Sequence, residues 1–193
     1  MLISRAKTDF TTSVEKSLTE IDPYWESYHG IIVTGSHAPQ EVEEKLDMIR
    51  MAREQGIPFL GICMGFQLML IEYARNVMGI KDANTQEIDP KAELVVKMPS
   101  LVVGMRSFTY NGTELGESFW HQYKFNHAYT QQFEQYGWEF AFMEDVAALA
   151  FLKGRRQFFM GTQFHPEYQS SVDKPHPLLI NFLNICNAAS PRV

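Results

Sequence analysis

The stretch that most constrains the fold is Pro58–Gln67, which reads P-F-L-G-I-C-M-G-F-Q. An apolar run leads into Gly61, Ile62, Cys63, Met64 and Gly65, and a helical pattern then continues through Leu68, Ile71, Glu72 and Ala74. Such a segment reads as a buried strand that turns sharply into a helix. The glycines on either side of Cys63 permit close backbone approach and strained torsions around the thiol. The same logic underlies the G-x-S-x-G nucleophile elbow, with sulfur here in place of oxygen. At a helix N-terminus the sulfur also sits near a positive partial charge, which favours its nucleophilic form. Free cysteine is equally a common core residue, so Cys63 taken alone reads either way.

The segments around this turn repeat its architecture. Gly30–Thr34 (G-I-I-V-T) reads as a buried strand running into the loop Gly35-Ser36-His37-Ala38-Pro39. Glu41–Gln55 has the apolar spacing of an amphipathic helix, with Gly56 as its C-cap and Pro58 just beyond. Strand–helix–strand–helix at this spacing predicts parallel strands with right-handed crossovers. Sites in open α/β sheets form beyond the C-terminal ends of strands, so the Gly35–Ala38 loop is expected to face the Cys63 turn. Upstream, Met1–Ser4 reads as a short strand and Thr11–Ile21 as a helix fragment ended by Asp22-Pro23. Downstream, Lys81–Asn111 reads poorly, though Ala92–Lys97 and Val102–Thr109 look extended and Asn111-Gly112 signals a hairpin turn. Ser118–Tyr129 is rich in aromatics and histidines without a period. Val146–Leu152 and Gln157–Gln163 are apolar runs joined through Lys153-Gly154-Arg155-Arg156 as a hairpin, and Pro175–Asn187 is a terminal helix.

At 193 residues, 45% of them hydrophobic and 21% charged, the chain 1–193 is read as one globular domain. A net charge of -6 gives no basic footprint for nucleic acid. The sequence has no apolar run long enough for a membrane span and no signal-peptide core at its N-terminus. The two cysteines, Cys63 and Cys186, form no disulfide framework, which suits a cytoplasmic setting. With no metal-binding cysteine pair and scattered histidines, neither a metal nor another cofactor is expected.

A second constellation closes the chain's last predicted strand, in Phe164-His165-Pro166-Glu167-Tyr168. Alternation along extended chain places His165 and Glu167 on one side. A histidine oriented by a carboxylate is the base that a thiol nucleophile needs. Taken alone, this pair reads more simply as a surface pair.

Together, G-I-C-M-G-F-Q, I-E-Y-A-R-N-V, A-N-T-Q-E, Q-F-H-P-E-Y and K-P-H-P-L-L-I-N-F resemble the class I, or triad, glutamine amidotransferases, most closely the glutaminase domain of CTP synthase. The resemblance implies an α/β, flavodoxin-like fold with an open, mostly parallel sheet flanked by helices. It implies that Cys63 attacks the side-chain amide of glutamine, His165 moves the protons and Glu167 orients the ring. Backbone N–H groups of Met64 and Gly35 would hold the oxyanion. Gln67, Glu87, Ser36, His37, Gln122 and Tyr123 would line the substrate pocket. The partner implied is a separate synthase that takes up the ammonia.

Departures from the family pattern accompany these matches. Thr34-Gly35-Ser36-His37-Ala38 stands where the family has P-G-G-F-G, and Gln122 stands where an arginine would clamp the substrate carboxylate. A neutral amide lacks that charge-assisted pairing. A different γ-glutamyl or amide substrate, or a catalytically silent binding module, are therefore the alternatives to glutamine hydrolysis. The family's first strand–helix unit, expected to be central in the sheet, is absent, shortened or outside this sequence. Cys186 is expected to pack, His176 to position the terminal helix, and Arg155-Arg156 to be solvated. The aromatics from Phe119 to Tyr129 are expected in the core, with a pocket wall as the lesser use.

Overall fold

The computed structural model describes residues 1–3, 9–36, 39, 41–154 and 158–190. Leu2–Ile3 forms β1 and Asp9–Ile21 forms α1, whose Phe10, Val14 and Leu18 recur every fourth residue as one buried stripe. Ile31–Val33 (β2) leads through the Gly35 loop to Val42–Gln55 (α2), capped by Gly56 in the left-handed conformation. Phe59–Ile62 (β3) is buried at every position and turns at Cys63 into Met64–Asn76 (α3). A long hairpin follows, Val95–Tyr110 (β4) and Thr113–Phe125 (β5). Its turn, Asn111-Gly112, has positive φ at both residues (50° and 74°), the geometry whose twist matches a two-residue hairpin. Thr130–Gln135 (α4), Trp138–Met143 (β6), Val146–Leu152 (β7), Phe159–Thr162 (β8) and Pro177–Ala189 (α5) complete the order.

The main sheet runs β1-β2-β3-β8-β7-β6. β1, β2, β3 and β8 are parallel, while β7 and β6 add antiparallel strands. Alternation divides the core. Ile31, Val33 and Phe59 pack toward α2 and α3; Ile32, Leu60 and Ile62 pack toward α1 and α5. The β4–β5 hairpin forms its own two-stranded sheet and seals Phe108 and Phe119 against Ala148, Leu149 and Phe164.

The expected strand–helix–strand–helix core is present with parallel pairing. The two extended stretches before Asn111 are one strand, β4, whose register slips between Lys97 and Val102. Ser118–Tyr129 carries no period because β5 has different neighbours along its length, and its first half belongs to the hairpin. The N-terminal strand–helix pair is short, as expected, with only two residues in β1 before α1. β1 pairs Leu2 with Ile31 and Ile3 with Ile32 at the outer edge of the sheet rather than its centre. β2 therefore has a neighbouring strand on both sides. Arg155, Arg156 and Gln157 lie outside the described residues, as do His37 and Ala38.

Candidate active site

β2, β3 and β8 are neighbours and point the same way, so their C-terminal ends lie side by side, with Val33 level with Gly61 and Ile62 level with Thr162. The residues that leave those ends are Gly35, Cys63 and His165. Cys63 holds φ 54°, ψ -106°, a conformation L-residues rarely adopt. Two close approaches enforce it. A Cβ on Gly65 would sit 1.9 Å from the Val33 carbonyl oxygen, and one on Gly61 would sit 2.6 Å from the Gly65 oxygen. Only glycine lets the α3 N-terminus press this closely on β2 and β3.

The three elements meet in space. A Cβ on Gly35 would lie 3.3 Å from His165 Cε1 and 3.4 Å from Cys63 Cβ. His165 Nδ1 donates to Glu167 Oε1 at 2.8 Å, and neither side chain reaches solvent. Burial alone would push His165 down. The adjacent Cys63 sulfur and then Glu167 override it and lift the imidazole to about 10. His165 Nε2 has no hydrogen bond of ordinary length and angle, so the sulfur acts on it through charge and proximity. The imidazole also faces two aromatic rings, Tyr168 at 4.6 Å and 11° and Phe10 at 5.1 Å and 25°. Ser17 of α1 donates to the Glu167 carbonyl at 3.3 Å, so α1 supports both the histidine and its carboxylate.

β5 closes the site from the side. His165 N–H donates to Ser118 O at 2.8 Å, which stitches the hairpin to the histidine loop. Cys63 Sγ lies 3.6 Å from Trp120 O, and Gln163 Nε2 donates to the sulfur at 3.7 Å. Gln67 Nε2 donates in turn to Gln163 Oε1 at 3.1 Å and to Tyr123 O at 3.0 Å. A cleft of about 180 Å³ opens over Cys63, walled by Ser36, Met64, Gln67, Glu87, Gln122 and Tyr123 together with Phe10, Leu101, Trp120 and His121. Burial raises Glu87, and buried Lys45 on α2 partly offsets this.

A model of the class I glutamine amidotransferase family matches residues 5–185. The chain belongs to this family. The CTP synthase of Sulfolobus acidocaldarius is 32% identical over 205 residues, covering 92% of this chain and 38% of that protein. That of Halalkalibacterium halodurans is 35% identical over 178 residues, covering 80% of this chain and 34% of that one. The chain thus spans little more than a third of the length of these curated relatives. Among solved structures, the glutaminase domain of Trypanosoma brucei CTPS with bound acivicin superposes with a TM-score of 0.83 at 20% identity. That match covers 100% of this chain and 94% of the other, and at such identity it speaks for the fold.

The structure of this amidotransferase brings most of the sequence-predicted residues around one cleft. Cys63, His165, Glu167, Gly35 and Met64 converge, and Ser36, Gln67, Glu87, Gln122 and Tyr123 wall the cleft. The Gln67 amide is already committed to protein acceptors, so it braces the wall rather than offering a free donor. Four contributors were missed. Phe10, Gln163, His121 and Tyr168 have no local signal that separates them from core or surface residues. Q-F-H-P-E-Y did place two of them beside His165. His176 caps α5 as expected, accepting from Leu178 N–H at 3.2 Å, while its Nε2 donates to Glu117. Cys186 packs, buried, beneath Gly30. Among the described residues no cluster of His, Cys, Asp or Glu is arranged to hold a metal, and no helix is long and apolar enough to cross a membrane.

Proposed function

We propose that this amidotransferase is a cysteine-dependent amide hydrolase that releases ammonia from glutamine through a Cys63 thioester. The observation that supports it most is the convergence of a strained Cys63, the His165–Glu167 pair and Gly35 beyond three adjacent parallel strands. Sulfur attacks the carboxamide carbon while the C=O pair moves to oxygen, and in this reading the Met64 and Gly35 N–H groups are the donors that hold it. The imidazolium of His165 protonates the nitrogen as the C–N bond breaks. Water then attacks the thioester, returning a proton to the sulfur–imidazole pair and releasing the acid. A synthase that takes up the ammonia is the partner that the relatives' longer chains suggest, and a cytoplasmic location goes with that role. A second reading, hydrolysis of another γ-glutamyl or amide compound, is favoured by Gln122, a neutral side chain on the cleft wall.

The test is ammonia release from L-glutamine by the wild-type chain and by Cys63→Ala. Release by wild type, reduced by more than about 10³-fold in the variant, is the expected outcome. No release from glutamine, with Cys63 still alkylated by an amide-mimicking electrophile, would select the second reading. Failure to alkylate as well would leave a silent binding module.

A further inference from the structure

His121 is a buried group on the wall of the cleft over Cys63, and the mechanism above gives it no task. It is 4% exposed and sits on the cleft wall between Trp120, whose carbonyl contacts the Cys63 sulfur, and Gln122. Its Nδ1 lies 2.9 Å from the Tyr123 carbonyl oxygen. A carbonyl only accepts, so Nδ1 carries the proton and Nε2 presents a bare lone pair. That lone pair is buried and has no hydrogen-bond partner in the protein. A buried acceptor left empty is costly, and such atoms are normally matched by a donor from water or ligand.

We propose that His121 Nε2 accepts a hydrogen bond from the nitrogen that leaves the substrate, and so acts as a catalytic residue selective for primary amides. The inference rests on the reading that Cys63 attacks a carboxamide. A primary amide carries two N–H donors, and His165 supplies a third hydrogen as the C–N bond breaks. The nitrogen departs with the bonding pair as NH3; His121 neither gains nor loses a proton. As nitrogen gains positive character its N–H groups become stronger donors, so the bond to His121 strengthens toward the transition state, where it accelerates the reaction. The ring stays neutral for this task because burial first, and repulsion by His165 after it, push it down to about 4. A cationic ring there would instead repel the positive charge that builds on the nitrogen before the C–N bond breaks.

The test compares L-glutamine with L-glutamate γ-methyl ester, whose leaving oxygen carries no hydrogen before His165 protonates it. His121→Phe keeps an aromatic ring without the acceptor, and Tyr123 O keeps its bond from Gln67. Its kcat/KM, which reports acylation, should fall roughly 10- to 100-fold for glutamine and stay within about threefold for the ester. His121→Gln, which restores an acceptor near the Nε2 position, should recover part of the glutamine loss. Equal losses on both substrates would make His121 a structural support, and no loss on either would leave it idle; both outcomes overturn the proposal while amide hydrolysis stands. A wild-type chain that hydrolyses no amide would overturn both readings together.

Discussion

The chemistry concentrates in a few residues whose states are set by their immediate neighbours. Cys63 is held in a backbone conformation that costs on the order of 1–3 kcal/mol, and the surrounding buried strands and α3 enforce it. His165 is charged at neutral pH because sulfur and Glu167 outweigh burial. The stacked ring of Tyr168 adds to this, since a cation prefers an aromatic face. Burial and the Glu167 charge hold Tyr168 itself up to about 12, so the ring opposite the imidazolium is uncharged. Tyr168→Leu keeps bulk and removes the π face. It should lower the His165 titration by roughly half a pH unit, read from imidazole NMR shifts and from the alkaline limb of ammonia release. An unmoved titration would reduce the stack to packing.

At the scale of elements, three joints hold the site together. The first is the α3 N-terminus against β2 and β3. Gly65→Ala places a methyl carbon into the Val33 carbonyl, so either α3 or β2 must move. The variant should lose about 2–3 kcal/mol of stability and most of its activity, measured by urea unfolding and ammonia release. Gly116→Ala, where the nearest atom is the flexible Met105 Cε at 3.7 Å, is the matched control and should do neither. The second joint ties α2 to α3 through buried Arg53 and Glu72, paired by bonds of 2.7, 2.9 and 3.1 Å. The third ties the hairpin to the histidine loop. Gln169 donates to Glu117 at 2.6 Å, and His176 donates to the same carboxylate from the start of α5. β5 is thereby anchored at Glu117, just before Trp120, His121 and Tyr123 reach the cleft.

For the molecule as a whole, the buried histidines set how stability follows pH. His121 titrates near 6.5 in the unfolded chain and near 4 when folded. The unfolded state therefore binds its proton more readily, and the stability this group contributes is full above about pH 6.5 and lost as the pH falls toward 4. His165 has the opposite sign: its folded value is raised to about 10, so its contribution is full below the unfolded value and lost as the pH rises through 10. Between pH 7 and pH 5, His121 alone should remove on the order of 2 kcal/mol. Urea midpoints at the two pH values should show this loss in the wild type and much less of it in His121→Phe. Equal losses in both chains would place the acid sensitivity elsewhere.

Much of the candidate site was legible because its chemistry is local. Gly-x-Cys-x-Gly specifies a tight turn wherever it occurs between a buried strand and a helix, and His-x-Glu on extended chain needs only alternation to share a side. Short-range periodicity likewise gave β2, α2, β3 and α3, and right-handed crossovers gave their parallel order. What stayed hidden depends on distant partners. β1 lies at the edge because its two residues find β2, and β5 defies a periodic reading because its neighbours change along its length. Phe10, Gln163 and His121 look like core residues in the sequence; only packing brings α1, β8 and β5 around one sulfur. The sequence by itself determined a tight strand-to-helix turn at Cys63 and a distant His165–Glu167 pair on one side of the chain, since backbone torsion and alternation act over a few residues. The tertiary structure alone decided that they meet, which buried nitrogen is left without a donor, and which way each histidine is pushed, because burial and charge act through space.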